Sequence, residues 1–334
     1  MNFGIIGAGR IGQVHAESLA FRIPEANLIA VSDLFIDAAR ICAEKFRIPH
    51  ATQDHRDLLT NSEIDAVVIC SSTETHVPFI IEAAEAGKHV FCEKPIALEL
   101  TRIDRALSVV EKTGIKLQIG FNRRFDANFR HLRKTVQHGA VGTPHLIRIT
   151  SRDPAPPPLE YIKGSGGIFL DMTIHDFDMA RHLMDSEVVE IYASGGVMID
   201  PAIGEVDDID TALITLRFEN GALGVIDNSR QAVYGYDQRA EIFGSKGAIE
   251  SGHKTPYQAV LSTVDGLESA KPLYFFLERY MDSYVDEMRA FMAAVRDDTP
   301  VPVDGNDGRI SVVMGHAAWK SYRENRPVRL DEIA

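Results

Sequence analysis

Apolar and polar positions along the chain set out short strands alternating with amphipathic helices over roughly the first third. Phe3–Ile6 is an apolar run, followed by an amphipathic stretch reaching to about Phe21. Asn27–Ser32 reads as a second strand and Asp37–Phe46 as a helix. Asp65–Cys70 is a candidate buried strand, His76–Ala86 a helix closed by Gly87, and His89–Phe91 a strand. Leu98–Lys112 then gives a helix ending near Gly114, and Lys116–Ile119 another strand. Strands separated by helices predict a doubly wound parallel sheet. Ligands of such sheets sit beyond the carboxyl ends of the strands, here Ser71–His76, Cys92–Pro95 and Gly120–Arg124.

Beyond Arg124 the pattern changes. Phe125–His138 has helical period, and Gly142-Thr143-Pro144 leads into a strand reaching Thr150. A stiff loop follows over Asp153–Pro158, with Pro154, Pro156, Pro157 and Pro158. From Val188 the chain is strand-rich: Asp208–Phe218 alternates, Asn220-Gly221 is a hairpin turn, and Ala222–Arg230 returns. Gln238–Phe243 and Ala248–Glu250 flank a further turn, and helices near Glu278–Arg296 and Asp307–Glu324 finish the chain. The fold class is therefore α/β in two parts. Residues 1–121 form a doubly wound domain, and residues 122–334 an α+β domain built on an antiparallel sheet. The last helix is expected to pack back on the first domain.

Composition narrows the function classes. The chain has 334 residues, 45% hydrophobic and 25% charged, which suits a soluble globular protein of two ordinary domains. Its net charge of −13, without a long basic run, argues against a nucleic-acid binder. No stretch approaches ~18 uninterrupted apolar residues, so no membrane span is expected. The first strand opens within a few residues of Met1, leaving no room for a signal peptide. Cys42, Cys70 and Cys92 lack CxxC spacing and read as buried thiols of a cytoplasmic protein.

The chemistry begins at Gly7-Ala8-Gly9-Arg10-Ile11-Gly12. This GxGxxG directly follows a strand and opens a helix. Gly7 permits the tight turn, Gly9 the approach of a pyrophosphate, and Gly12 the packing of helix on strand. Free N–H groups at the helix start meet the phosphate charge. Asp33, ending the second strand, is placed to accept hydrogen bonds from ribose hydroxyls. Its carboxylate would repel a 2′-phosphate, and Leu34 and Phe35 offer no guanidinium to bind one, so NAD is favoured over NADP.

A second concentration of chemistry lies in Gly166–Met184. Asp171, His175, Asp178 and His182 share one face if the helix has begun by Asp171, opposite an apolar side including Ile174, Phe177 and Leu183. Three readings compete: a solvated polar face, a metal site, and a dyad in which a carboxylate holds an imidazole that takes a proton from an alcohol. Thr173 with Asp176 resembles a capping box, which would place Asp171 just outside the helix. Lys94, in Glu93-Lys94-Pro95, is either a surface lysine before a turn proline or a donor to a substrate oxygen.

Taken together, GAGRIG, CEKP at Cys92–Pro95 and the Gly-Gly…Asp…His-Asp pattern of Gly166–Asp176 resemble the Gfo/Idh/MocA oxidoreductases over the whole chain. Within them the chain is most similar to the inositol-oxidising group. That likeness rests on GFNRRFD (Gly120–Asp126), SRDPAPPP (Ser151–Pro158), YGYDQR (Tyr234–Arg239), DGNDGR (Asp304–Arg309) and ENRPV (Glu324–Val328). The resemblance implies a Rossmann domain paired with an open sheet. It implies NAD as cofactor, held by Gly7, Gly9, Arg10, Ile11, Gly12, Asp33, Ser71, Thr73, His76, Glu93 and Lys94. It implies catalysis by Lys94, Asp171 and His175, with His175 as base, and no metal. Arg123, Asp153 and Tyr236 match positions lining the polyol pocket, although Asp153 stands where some relatives carry Asn. The implied reaction is oxidation of myo-inositol by a cytoplasmic homotetramer. The resemblance also implies a cis Lys94-Pro95 bond. Two alternatives stay open: another cyclic polyol or aldose as substrate, including an NADP reductase, and a dinucleotide-sensing regulator without turnover.

Overall fold

The computed structural model describes residues 1–333. The chain divides into two compact units, Met1–Phe125 with Met281–Val312, and Asp126–Tyr280 with Val313 onward. The division is not a single cut after residue 121, because the chain returns to the first unit over residues 281–312. The physical reason is apolar burial. Val285, Met288, Phe291 and Met292 join Phe3, Ala16, Leu19 and Phe91 in one core cluster.

The first unit is built on six parallel strands: β1 (Asn2–Ile6), β2 (Asn27–Ser32), β3 (His50–Thr52), β4 (Ala66–Ile69), β5 (His89–Cys92) and β6 (Leu117–Ile119). They run in the order β3-β2-β1-β4-β5-β6. The order reverses between β1 and β4, which opens a crevice at their carboxyl ends. Every residue of β4, Ala-Val-Val-Ile, is buried, as expected for a strand of a sheet covered on both faces. The edge strand β3 and the short helix Arg56–Thr60 are not signalled in the apolar pattern. Three residues cannot display a period.

The second unit carries β7 (Pro144–Arg152), β8 (Val188–Gly196), β9 (Thr211–Phe218), β10 (Leu223–Ser229), β11 (Asp237–Gly244) and β12 (Gly247–Ser251). An exposed hairpin of β13 (Val260–Thr263) and β14 (Gly266–Ser269) stands apart, and β15 (Val328–Arg329) closes one edge of the main sheet. The seven-stranded order is β12-β11-β7-β10-β9-β8-β15. Pairing is antiparallel except between β7 and β10, which run parallel from Leu146↔Leu223 to Arg152↔Ser229. The antiparallel sheet expected from the sequence is present, with one parallel seam. In β9, Ala212, Ile214, Leu216 and Phe218 are buried while Leu213, Thr215 and Arg217 face outward, the alternation of a sheet with one covered face. Gly221 closes the β9–β10 turn at φ +86°, a conformation open to glycine and costly to most other residues. Among the described residues no helix is long and apolar enough to cross a membrane.

Candidate functional site

In the first unit the glycine loop leaves β1 beside β4. Gly7 sits at φ +103°, and a Cβ there would lie 2.7 Å from the backbone of Cys70. A Cβ on Gly12 would lie 2.0 Å from the carbonyl oxygen of Gly7. Both positions therefore exclude any side chain. Gly9 differs, with nothing within 4 Å of the place a Cβ would take. The turn is closed on its protein side and open at Gly9, where a pyrophosphate needs to approach the helix Arg10–Glu17. The residues present fit a dinucleotide. Arg10 is exposed and Ile11 half-buried at the helix start.

Asp33 holds this loop. Its Oδ2 accepts from the Ala8 amide at 2.7 Å and its Oδ1 from the Phe35 amide at 2.9 Å. The carboxylate is fixed in orientation at the end of β2, and it stays half-buried. Ser71 and Thr73 follow β4, with the Ser71 hydroxyl 2.7 Å from that of Thr75. His76 is 2% exposed, its Nδ1 2.8 Å from the carbonyl of Pro95 and its Nε2 3.1 Å from that of Ser71. Burial pushes its pKa below the ordinary value, so the neutral ring donates to one of the two carbonyls. The imidazole braces the loops after β4 and β5, and a ligand would meet those loops before the ring. Glu93 is 8% exposed and Arg123 4%, so both are side chains of the interior. Lys94 follows β5 at a cis bond to Pro95.

In the second unit Gly166–Met184 does not form one helix. Gly167–Asp171 is a short helix, Met172 and Thr173 interrupt, and Ile174–Met184 follows. Asp171 ends one helix and His175 opens the next, which corrects the picture of four groups aligned on one face. Thr173 stands at the N-cap position of that helix but its side chain caps no amide, since its hydroxyl is directed to the Ile168 carbonyl at 3.2 Å and Asn228 Oδ1 at 2.5 Å. The capping box with Asp176 is likewise absent, because Asp176 is fully buried and accepts from Asn228 Nδ2 at 2.9 Å. The helix is also more buried than its pattern suggests. All of Ile174–Met184 is buried apart from His175 and His182. Polar positions such as Asp176 and Asp178 mimic a solvated face in the sequence yet are fully buried, Asp176 bonded to Asn228.

Strand register gathers the remaining candidates. Arg152 pairs with Ser229 on one side and with Asp237 on the other. Asp153, Arg230 and Tyr236 each stand one residue beyond those partners, at one end of three adjacent strands. The Asp153 amide donates to Ser229 O at 2.9 Å, and its carbonyl accepts from Ala232. Tyr236 is 7% exposed, with its ring edge against Tyr280.

Asp171 is drawn to this edge by Arg230, whose Nη1 lies 3.4 Å from its Oδ2. Arg230 Nη2 reaches Asp208 Oδ2 at 3.2 Å, and Asp208 Oδ1 in turn accepts from the Ile168 amide at 2.9 Å. The other oxygen of Asp171 accepts from the Tyr161 hydroxyl at 2.8 Å. Tyr161 is 53% exposed overall; desolvation at the site, then the charge of Asp171, raises its phenol pKa, and a phenol is in any case a donor across the physiological range. Tyr161, Arg230 and Asp208 are the residues that sequence reasoning missed. Tyr161 is 10 positions from Asp171 and Arg230 is 59, and only the folded sheet connects them. A carboxylate clamped by a phenol and a guanidinium, just before a partly exposed imidazole, suits fixed orientation of a base and a hydroxyl.

Comparison with known proteins adds the following. Residues 1–121 match the family described as "Oxidoreductase family, NAD-binding Rossmann fold", and residues 129–250 match "GFO/IDH/MocA C-terminal domain". A Thermotoga maritima protein named myo-inositol 2-dehydrogenase is 51% identical, covering 100% of this chain and 99% of that one. An inositol 2-dehydrogenase of Rhizobium meliloti is 44% identical over 99% of each chain. The crystal structure of scyllo-inositol dehydrogenase from Lactobacillus casei, with bound NAD(H) and scyllo-inositol, superposes with a TM-score of 0.93 at 29% identity, covering 99% of each chain.

Proposed function

Because the chain belongs to the Gfo/Idh/MocA oxidoreductases, with an NAD-binding Rossmann domain over residues 1–121, we propose that it oxidises myo-inositol. The reacting carbon is the one bearing the axial hydroxyl, and the products are 2-keto-myo-inositol and NADH. His175 takes the hydroxyl proton. Asp171 orients His175 and a neighbouring hydroxyl, and Lys94 holds the reacting oxygen as charge develops on it. The nicotinamide of NAD supplies the hydride acceptor. Arg123, Asp153 and Tyr236 supply further polar partners for the ring. The reading divides the labour between residues 1–121, which hold the cofactor, and residues 122–334, which hold substrate and assemble the homotetramer in the cytoplasm.

The observation that carries this reading is the clamped carboxylate of Asp171, held by Tyr161 and Arg230 at the end of the helix preceding His175. The names of the full-length relatives support the choice of polyol. The L. casei structure with scyllo-inositol favours one second reading, the same chemistry on that epimer. Spectrophotometric NAD reduction over myo-inositol, scyllo-inositol, glucose and xylose separates these. A ring lacking one hydroxyl leaves a buried polar group unpaired, at about 1–3 kcal/mol. Glucose and xylose are therefore expected to show lower kcat/KM than myo-inositol, and the names of the full-length relatives put myo-inositol ahead of its scyllo epimer. If glucose or xylose exceeds it, the inositol assignment falls.

A further inference from the structure

The first unit contains a buried polar cluster that the proposed chemistry does not use. His15 lies on the helix that follows the glycine loop and is 0% exposed, edge-on to the rings of Phe91 and Tyr284. Its Nε2 is 2.7 Å from Glu93 Oε1. The second oxygen of Glu93 accepts from the Lys94 amide at 3.3 Å. A Cβ on Gly120 would lie 2.9 Å from that oxygen, so the carboxylate occupies space that only a glycine leaves open. Glu287 completes the group. It is 0% exposed, neither of its carboxylate oxygens has a hydrogen-bond partner, and one ligand atom from each of the three residues lies within 4.8 Å of the others.

We propose that His15, Glu93 and Glu287 form one buried proton-sharing unit that sets the Lys94 backbone, making Glu93 a positioning residue for that lysine. Two carboxylates and one imidazole in a dry pocket cannot all be ionised, since one negative charge would be left uncompensated. His15 Nε2 and Glu93 Oε1 satisfy one another at 2.7 Å, and Glu287, left without a partner, keeps its proton. Burial, then the charge of Glu93, pushes the Glu287 carboxyl well above its ordinary value, in the same sense. The other titratable groups within electrostatic reach include the thiols of Cys70 and Cys92, which burial also holds in the neutral form, and His76, whose pKa burial lowers. The unit ties the helix of the glycine loop to the turn carrying Lys94, so cofactor seat and lysine are held by one network. The kinetic part of this inference rests on the assignment of Lys94 above. The protonation part stands without it.

Glu287→Gln copies a neutral carboxyl. The folded-state pKa of Glu287 is raised, so its contribution to stability is fully present below the unfolded value near 4.3 and is lost as pH rises toward the folded value. Thermal midpoints of the full-length protein between pH 5 and 9 should therefore fall more steeply for wild type than for Glu287→Gln, with the variant the more stable at alkaline pH. Infrared difference spectra should show a protonated-carboxyl carbonyl band in wild type at neutral pH that the variant lacks. Loss of stability in Glu287→Gln at every pH, or absence of that band, overturns the neutral acid. So does a stoichiometric divalent metal in the purified protein.

For positioning, Glu93→Gln should lower kcat by roughly tenfold or more, change the pH profile of kcat, and leave polyol KM within a few-fold. Glu93→Asp should restore part of the loss. Unchanged kcat in Glu93→Gln, alongside an inactive Lys94→Ala, refutes positioning while the functional reading survives. An active Lys94→Ala refutes the functional reading itself.

Discussion

Replacing Arg230 by Met tests whether the clamp on Asp171 is structural, functional or both. The guanidinium is 0% exposed and bridges Asp171 and Asp208, whose side chains are 13% and 3% exposed. Removing one member of a buried ion pair costs about 3–5 kcal/mol, because the partner is left charged and uncompensated. Asp208 retains the Ile168 amide and Asp171 retains the Tyr161 hydroxyl, so the loss should fall at the lower end, about 3 kcal/mol. Methionine is unbranched and fills the vacated stem volume, which keeps the cavity contribution small. The assay is urea unfolding of Arg230→Met at neutral pH beside kcat/KM for the polyol. Adding Asp208→Asn removes the stranded charge and should recover at least about 1 kcal/mol while leaving turnover impaired. A loss below about 1 kcal/mol would mean that the pair behaves as an exposed one, and the reasoning would fail. Full turnover in Arg230→Met would refute the role given to the clamp.

Two further outcomes follow from the same geometry. His175→Ala should lower kcat by about 10²–10⁴, the range of a general base, with NAD affinity little changed; near-normal turnover at neutral pH would transfer the role of base to Lys94. Asp33→Ala should narrow the ratio of kcat/KM for NAD over NADP, and because Asp33 also accepts from Ala8 and Phe35, it should weaken binding of both dinucleotides. An unchanged ratio would show that the carboxylate serves the loop alone.

What could be read in the sequence was what is local. The glycine loop, Asp33 and the alternation of strand and helix depend on neighbours within one βαβ unit, and each carries its own spacing signal. The helix of His175 shows the limit. Its polar residues follow a surface pattern, yet Asp176 is satisfied by Asn228 from a strand 52 positions away. Tyr161 and Arg230 carry no motif, and their value arises only when the sheet brings them to Asp171. His76 and Glu93 lie where a ligand-binding residue is expected and face inward instead. Sequence position cannot tell the two sides of a loop apart. The return of residues 281–312 to the first unit is likewise invisible, since an amphipathic helix does not name the core it will join.

The parallel seam between β7 and β10 has a consequence for how this half of the molecule can vary. Every other join in that sheet links strands already adjacent in its order through antiparallel pairing, and β7 alone lies between the ribbon β11–β12 and the ribbon β8–β9–β10. It therefore acts as a ruler. Ser151 and Arg152 align Asn228 and Ser229 on one side with Gln238 and Asp237 on the other. Since a one-residue slip would turn every side chain of a strand to the opposite face, an insertion within β7 would misalign both ribbons together. Length changes in the loop after Asp153 and in the single loop from Arg230 to Tyr236 leave the ruler untouched. On the reading proposed above, substrate preference drifts through those two loops, while the strand beneath them tolerates substitution but not a change in length.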